Sequence, residues 1–172
     1  GIIFEYDGKM FVTTRGSFIS NTSKIGTAML EKYAKAGKWS KEYPKLVTTL
    51  VEIIHPATKV IAEYGEEEKF VVIGAFDREK YTDFGYGGLC LLATKLNLPV
   101  TKLWKGKNLD ELVTLMKDHS IRNQEGYVVR FRSGLSVKLK FETYISKMIE
   151  GKINYAYLMN KFERGFDELI YI

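Results

Sequence analysis

Glu125-Gly126-Tyr127-Val128-Val129-Arg130-Phe131 is the sharpest chemical feature of this 172-residue chain. A carboxylate precedes a glycine and then an alternating, half-buried strand. Alternation puts Glu125, Tyr127, Val129 and Phe131 on one side. A carboxylate at a strand edge, with glycine leaving room for close approach, suits a hard divalent cation such as magnesium. Taken alone, the run fits a surface glutamate before an ordinary strand better. Val137-Lys138-Leu139-Lys140 follows, and period two places Lys138 and Lys140 on one face, with Val137 and Leu139 on the other. Two ammonium groups roughly 7 Å apart along a strand suit phosphates far better than they suit each other. A solvated strand face is the plain alternative.

Two earlier segments carry charge in informative places. Arg15, within Thr13-Thr14-Arg15-Gly16-Ser17-Phe18, stands beside a glycine and can reach a phosphate or stack on a base. Leu50-Val51-Glu52-Ile53-Ile54-His55-Pro56 sets Glu52 inside an otherwise apolar strand. Burying a carboxylate is costly without a partner, so Glu52 points to a sugar hydroxyl, a metal or a basic group. Cys90 lies in the apolar run Leu89-Cys90-Leu91-Leu92 and reads as a small core residue. His55 precedes a proline in a turn and His119 follows a helix, and neither has metal-ligand spacing.

The elements that must position these groups alternate between strands and helices. Asp7-Gly8 is a hairpin signal between Ile2 to Tyr6 and Met10 to Thr14. Gly26 to Lys38 has helical spacing, with Met29, Leu30, Tyr33 and Ala34 as its apolar stripe. Strands are expected over Leu46 to Ile54, Lys59 to Tyr64 and Phe70 to Phe76, with turns at His55-Pro56 and Gly65. Gly88 to Leu96 and Leu109 to Lys117 read as helices, the second capped by Asn108. Gly126 to Arg132 and Leu135 to Lys140 form a hairpin around Ser133-Gly134. From Phe141 onward the spacing is helical, through Ile145, Met148 and Ile149 to Tyr155, Leu158, Met159 and Phe162. The expected class is α+β, antiparallel sheets flanked by helices, with a helical C-terminal tail.

Bulk properties agree with a folded chain. Hydrophobic residues make up 45% and aromatics 13%, which excludes a disordered segment. No apolar run is long enough to cross a membrane and no signal-peptide pattern opens the chain. The single cysteine permits no internal disulfide, so a cytoplasmic or other intracellular setting is expected. A net charge of +5 permits an anionic partner without requiring one.

Taken in order, Arg15-Gly16-Ser17, Val51-Glu52-Ile53-Ile54-His55-Pro56, the strand Phe70-Val71-Val72-Ile73-Gly74-Ala75-Phe76, Glu125-Gly126-Tyr127-Val128-Val129-Arg130 and Val137-Lys138-Leu139-Lys140 resemble the covalent nucleotidyltransferase superfamily of ligases and capping enzymes. The pattern is most similar to the phage-type RNA ligase 1 family, whose last motif continues as Lys-x-x-x-Tyr, here Lys140-Phe141-Glu142-Thr143-Tyr144. The order of the motifs carries the resemblance, since no single motif is specific. It implies an ATP-grasp-like nucleotidyltransferase domain over 1–145 and a helical tail, or the start of a helical domain, over 146–172. It also implies roles: Arg15 near the nucleotide or its phosphate, Glu52 at the ribose or metal, and the Phe70 strand over the base. Glu125 becomes a metal-binding carboxylate, and Lys138 and Lys140 engage the phosphates. The implied cofactors are ATP, which leaves AMP, and Mg2+ or Mn2+. The implied partners are RNA ends, a 5′-phosphate and a 3′-hydroxyl, in RNA repair or processing.

One departure stands beside these matches. The family carries Lys-x-Asp-Gly before the first hairpin, and that lysine is the nucleophile. Gly1-Ile2-Ile3 reads as the continuation just beyond it, so the chain is expected to be a fragment inactive in self-adenylylation. Glu5-Tyr6-Asp7-Gly8 is rejected as the motif because Asp7-Gly8 serves as the hairpin turn and sits too close to Arg15. The expected function is ATP-dependent RNA ligation through lysine-AMP and RNA-adenylate. A non-catalytic RNA-binding module derived from a ligase, a DNA ligase and a capping guanylyltransferase are the alternatives.

Overall fold

The computed structural model describes residues 1–35, 39, 43–58 and 65–152. The elements run β1 (Ile2–Tyr6), β2 (Lys9–Thr13), α1 (Asn21–Lys35), β3 (Val47–Ile54), β4 (Lys69–Asp77), β5 (Thr82–Asp83), α2 (Tyr86–Leu96), α3 (Leu109–Leu115), β6 (Gly126–Arg130), β7 (Ser136–Lys140) and α4 (Glu142–Lys152). A short 3-10 turn covers Pro56–Thr58. The chain divides into two compact units, one of Gly1–Lys59 with Tyr64–Trp104 and one of Val60–Glu63 with Lys105–Ile172. The architecture is the expected mixture of antiparallel sheet and helices. The expected strand Lys59 to Tyr64, and the tail residues Tyr155, Leu158, Met159 and Phe162, lie outside the described residues.

In the first unit five antiparallel strands are ordered β2-β1-β3-β4-β5. Asp7 and Gly8 both take positive φ, 51° and 73°, the conformation of a two-residue hairpin turn. The Glu5 carboxylate accepts the Gly8 N–H at 2.5 Å. One sheet face carries Ile3, Val12, Thr49, Val51, Ile53, Phe70, Val72 and Ala75, packed in one core with Met29 and Leu30 of α1 and Leu89, Leu92, Ala93 and Leu96 of α2. Tyr33, Trp39 and Phe70 form an aromatic cluster with ring centroids 5.2 to 6.1 Å apart. Trp39 Nε1 donates to Leu96 O at 3.2 Å.

Phe70, Val72 and Ala75 share the buried face although strict alternation would turn Ala75 outward. A bulge explains this: Leu50 pairs with Gly74 and Val51 with Val72, so Ile73 is the extra residue. Beyond β5 the edge of β4 is met by 99–101, where Val72 N–H donates to Pro99 O at 2.8 Å and Thr101 N–H to Val72 O at 2.9 Å. Helix α1 starts at Asn21, five residues before the expected Gly26. Ser20 supplies the cap, its Oγ accepting the Ser23 N–H at 3.1 Å. The first turn is polar, so apolar spacing did not reveal it.

The second unit joins α3, the β6–β7 hairpin and α4. Asn108 caps α3 as expected, its Oδ1 accepting the Glu111 N–H at 2.9 Å. The Glu111 carboxylate reaches back to the Lys107 N–H at 2.8 Å. Leu112, Met116 and the fully buried Phe141 form the apolar centre, with Tyr127 edge-on to Phe141 at 6.0 Å. Glu142 N–H donates to Met116 O at 3.0 Å and Phe141 N–H to Glu125 O at 3.0 Å, which fixes α3 and the hairpin to the start of α4.

Candidate functional site

The hairpin that carries the site pairs Gly126 with Lys140, Val128 with Lys138 and Arg130 with Ser136. Paired residues share a face, so Lys138 and Lys140 project from the same side, as period two requires. Strict alternation puts Glu125 on the opposite side, with Tyr127. The structure places its carboxylate among the lysines instead: Lys138 Nζ lies 2.7 Å and Lys140 Nζ 3.2 Å from Glu125 Oε1. The cause is Gly126, whose φ of 150° ends the pleat one residue early and re-aims its neighbour. Glycine is required sterically as well. A Cβ there would stand 1.9 Å from Leu139 O and 2.7 Å from Lys140 Cα.

The electrostatics follow from this geometry. Partial burial pushes the Glu125 carboxyl upward, but the hydrogen bonds and charges of Lys138 and Lys140 outweigh it and hold the group below its ordinary range. Lys140 also sits over the Tyr144 ring, Nζ 5.1 Å from its centroid. Two partly exposed ammonium groups and one carboxylate can exchange partners with a phosphate-bearing ligand. Among the described residues no group of three or more His, Cys, Asp or Glu could hold a metal ion. One carboxylate therefore fits a hard cation that arrives with ligand oxygens, as magnesium commonly does, better than one caged by protein alone.

Arg15, Glu52 and Phe70 belong to the first unit. Thr14 and Ser17 exchange backbone hydrogen bonds at 3.1 and 3.4 Å, which sets Arg15 and Gly16 at the exposed tip of a tight turn. Hydroxyls brace this turn: Thr13 Oγ1 and Ser23 Oγ donate to Ser17 O at 2.9 and 2.7 Å. The run of Thr and Ser residues through Thr13, Thr14, Ser17, Ser20 and Ser23 was the signal for this platform, and sequence reasoning passed over it. Glu52 is exposed on the sheet face away from the helices, opposite Val71, so the premise of a buried carboxylate is corrected. Phe70 is also corrected. Its side chain has 0% exposure and is part of the core, which leaves no surface for a base. The outward groups of that strand are Ile73 and Phe76, each 40% exposed.

The outward sheet face holds a further aromatic row that alternation alone did not single out. Phe11, Phe4, Thr48 and Phe76 are successive partners across β2, β1, β3 and β4. Phe4 stacks on Phe11 at 5.6 Å and meets Phe18 edge-on at 6.4 Å. Cys90 is half-buried on α2 rather than fully inside. The histidines have carboxylate partners: His55 Nε2 lies 3.3 Å from Glu68 and His119 Nε2 3.6 Å from Glu142.

No protein-family model matches the chain. No curated protein matches it either. Solved structures do. A lysine-to-alanine variant of the Naegleria gruberi RNA ligase with ATP and Mn superposes with a TM-score of 0.62 at 14% identity, over 85% of this chain and 48% of that one. The same ligase with PPi gives 0.58 at 14% identity over 87% and 48%. A lysine-to-methionine variant with AMP and Mn gives 0.57 at 14% identity over 85% and 47%. This chain spans about half the length of those ligase chains. Its mixed α/β fold, with a five-stranded antiparallel sheet and flanking helices, is similar to that of an RNA ligase.

Proposed function

We propose that this chain is the nucleotide-binding part of an ATP-dependent RNA ligase of the phage-type RNA ligase 1 kind. The observation that supports this best is the convergence of Glu125, Lys138 and Lys140 on one hairpin face, within a fold similar to RNA ligase. In this reading Lys138 and Lys140 bind nucleotide phosphates by charge-assisted hydrogen bonds, with Tyr144 orienting Lys140. Arg15, exposed at its braced turn, contacts the nucleotide or an RNA phosphate. Glu52 serves the ribose or a metal. Phe70 supports its strand from the core side, and the base contact passes to outward groups of the sheet.

Glu125 would hold Mg2+ or Mn2+ together with ligand oxygens, and the ion when bound would neutralise charge developing on phosphoryl oxygens. Ligation in this class transfers AMP from ATP to a lysine with release of pyrophosphate, then from the lysine, which is freed, to an RNA 5′-phosphate, and a 3′-hydroxyl finally attacks that phosphate and expels AMP. The lysine pair suits each step because each develops charge on phosphoryl oxygens. The covalent step is not assigned to a residue of this chain.

A second reading, a basic RNA-binding module without catalysis, draws on the net charge of +5. Equilibrium dialysis with labelled ATP, GTP and a short RNA separates the two. Retention of ATP over GTP in the presence of Mg2+ supports the ligase reading. Retention of RNA with no retention of ATP overturns it in favour of the module.

A further inference from the structure

Glu125 Oε1 is shared by two ammonium groups, at 2.7 Å from Lys138 Nζ and 3.2 Å from Lys140 Nζ. All three side chains keep contact with solvent, 38% exposed for Glu125, 50% for Lys138 and 30% for Lys140. A phosphate that binds the lysines competes with a carboxylate already there. A cation that binds Glu125 must approach a group flanked by two positive charges, and like charges at contact range repel. Each ligand alone meets an obstacle that the other removes.

We propose that Glu125 is a built-in counterion: it occupies the Lys138–Lys140 pair until a polyphosphate displaces it, and that displacement frees the carboxylate for a divalent cation. This rests on the reading that the two lysines engage nucleotide phosphates. Glu125 O accepts the Phe141 N–H at 3.0 Å, so the backbone is pinned and the exchange is a side-chain movement. When the carboxylate leaves, Lys140 keeps the Tyr144 ring as a partner. Both ligands favour the state with Glu125 off the lysines, so each raises the affinity for the other by the same factor.

The test is calorimetric titration of the full chain with inorganic tripolyphosphate, in EDTA and in Mg2+, for the parent, Glu125→Gln and Lys138→Ala. Two exposed ion pairs of ordinary strength predict that Glu125→Gln binds tripolyphosphate about 2- to 30-fold tighter than the parent in EDTA. In Mg2+ that advantage should vanish or reverse, and Mg2+ alone should not bind the parent. Equal or weaker binding by Glu125→Gln in EDTA overturns the proposal, as does binding by neither protein. If Lys138→Ala binds as tightly as the parent, the phosphate reading itself fails. If Lys138→Ala is weak and Glu125→Gln is no tighter, only the counterion role fails.

Discussion

Replacing Gly126 by alanine tests the local cause of the site geometry. The new Cβ would lie 1.9 Å from Leu139 O, 2.7 Å from Lys140 Cα and 2.8 Å from Leu139 C, all backbone atoms of the partner strand. None can rotate away, so β6 and β7 must part by about 1 Å to restore van der Waals separation. Overpacking of this kind costs about 1–3 kcal/mol, and an L side chain forced to a glycine-only φ adds about 1–3 kcal/mol. A combined loss of about 3 kcal/mol corresponds to roughly 150-fold faster opening of the hairpin. Hydrogen exchange of the β6 and β7 amides reads this directly. Gly134→Ala is the control, because its φ is 88° but nothing lies within 4 Å of the added Cβ. It should cost about 1 kcal/mol, roughly 5-fold in exchange. Equal acceleration by the two variants would refute the close-approach argument.

Three further outcomes follow from other parts of the structure. Phe70→Ala should destabilise the chain by about 3–5 kcal/mol in urea unfolding, while Phe76→Ala, 40% exposed, should cost about 1 kcal/mol. Tyr43 has its hydroxyl buried against Ile3 O, Val47 O and Thr49 Oγ1, and burial raises its pKa from 10.0 to about 12. The neutral phenol therefore stabilises the fold fully below pH 10 and loses that contribution as pH rises towards 12, so Tyr43→Phe should flatten the alkaline limb of thermal melts. The Glu125 carboxyl should titrate below 4.5 by carbon NMR, its ion pairs intact above that value and lost as pH falls, with Lys138→Ala moving the midpoint upward.

The sequence was most legible where one physical rule decides the outcome. Asp7-Gly8 specified its hairpin through positive φ, Asn108 specified its cap, and period two brought Lys138 and Lys140 to one face. It was least legible where two rules compete. Glu52 looked costly because its neighbours are apolar, yet a strand has two faces, and Glu52 is exposed on the one away from Val51 and Ile53. Ala75 turned inward and Phe76 outward because a bulge at Ile73 shifts the alternation, and a bulge is set by the partner strand rather than by local composition. Glu125 reached the lysines through the φ of Gly126, which the bare identity of a glycine permits without dictating.

The central claim, that the hairpin face binds nucleotide phosphates, is tested most directly by calorimetric titration of the chain with ATP and Mg2+, comparing the parent with Lys138→Ala. Each charge-assisted phosphate contact is worth roughly 1.5–3 kcal/mol, so the variant should bind at least about 10-fold more weakly. Its thermal melt should be unchanged, because Lys138 is half-exposed and its ion pair contributes little to folding. Equal ATP affinity in the two proteins would make the lysine pair a solvated strand face and contradict the account.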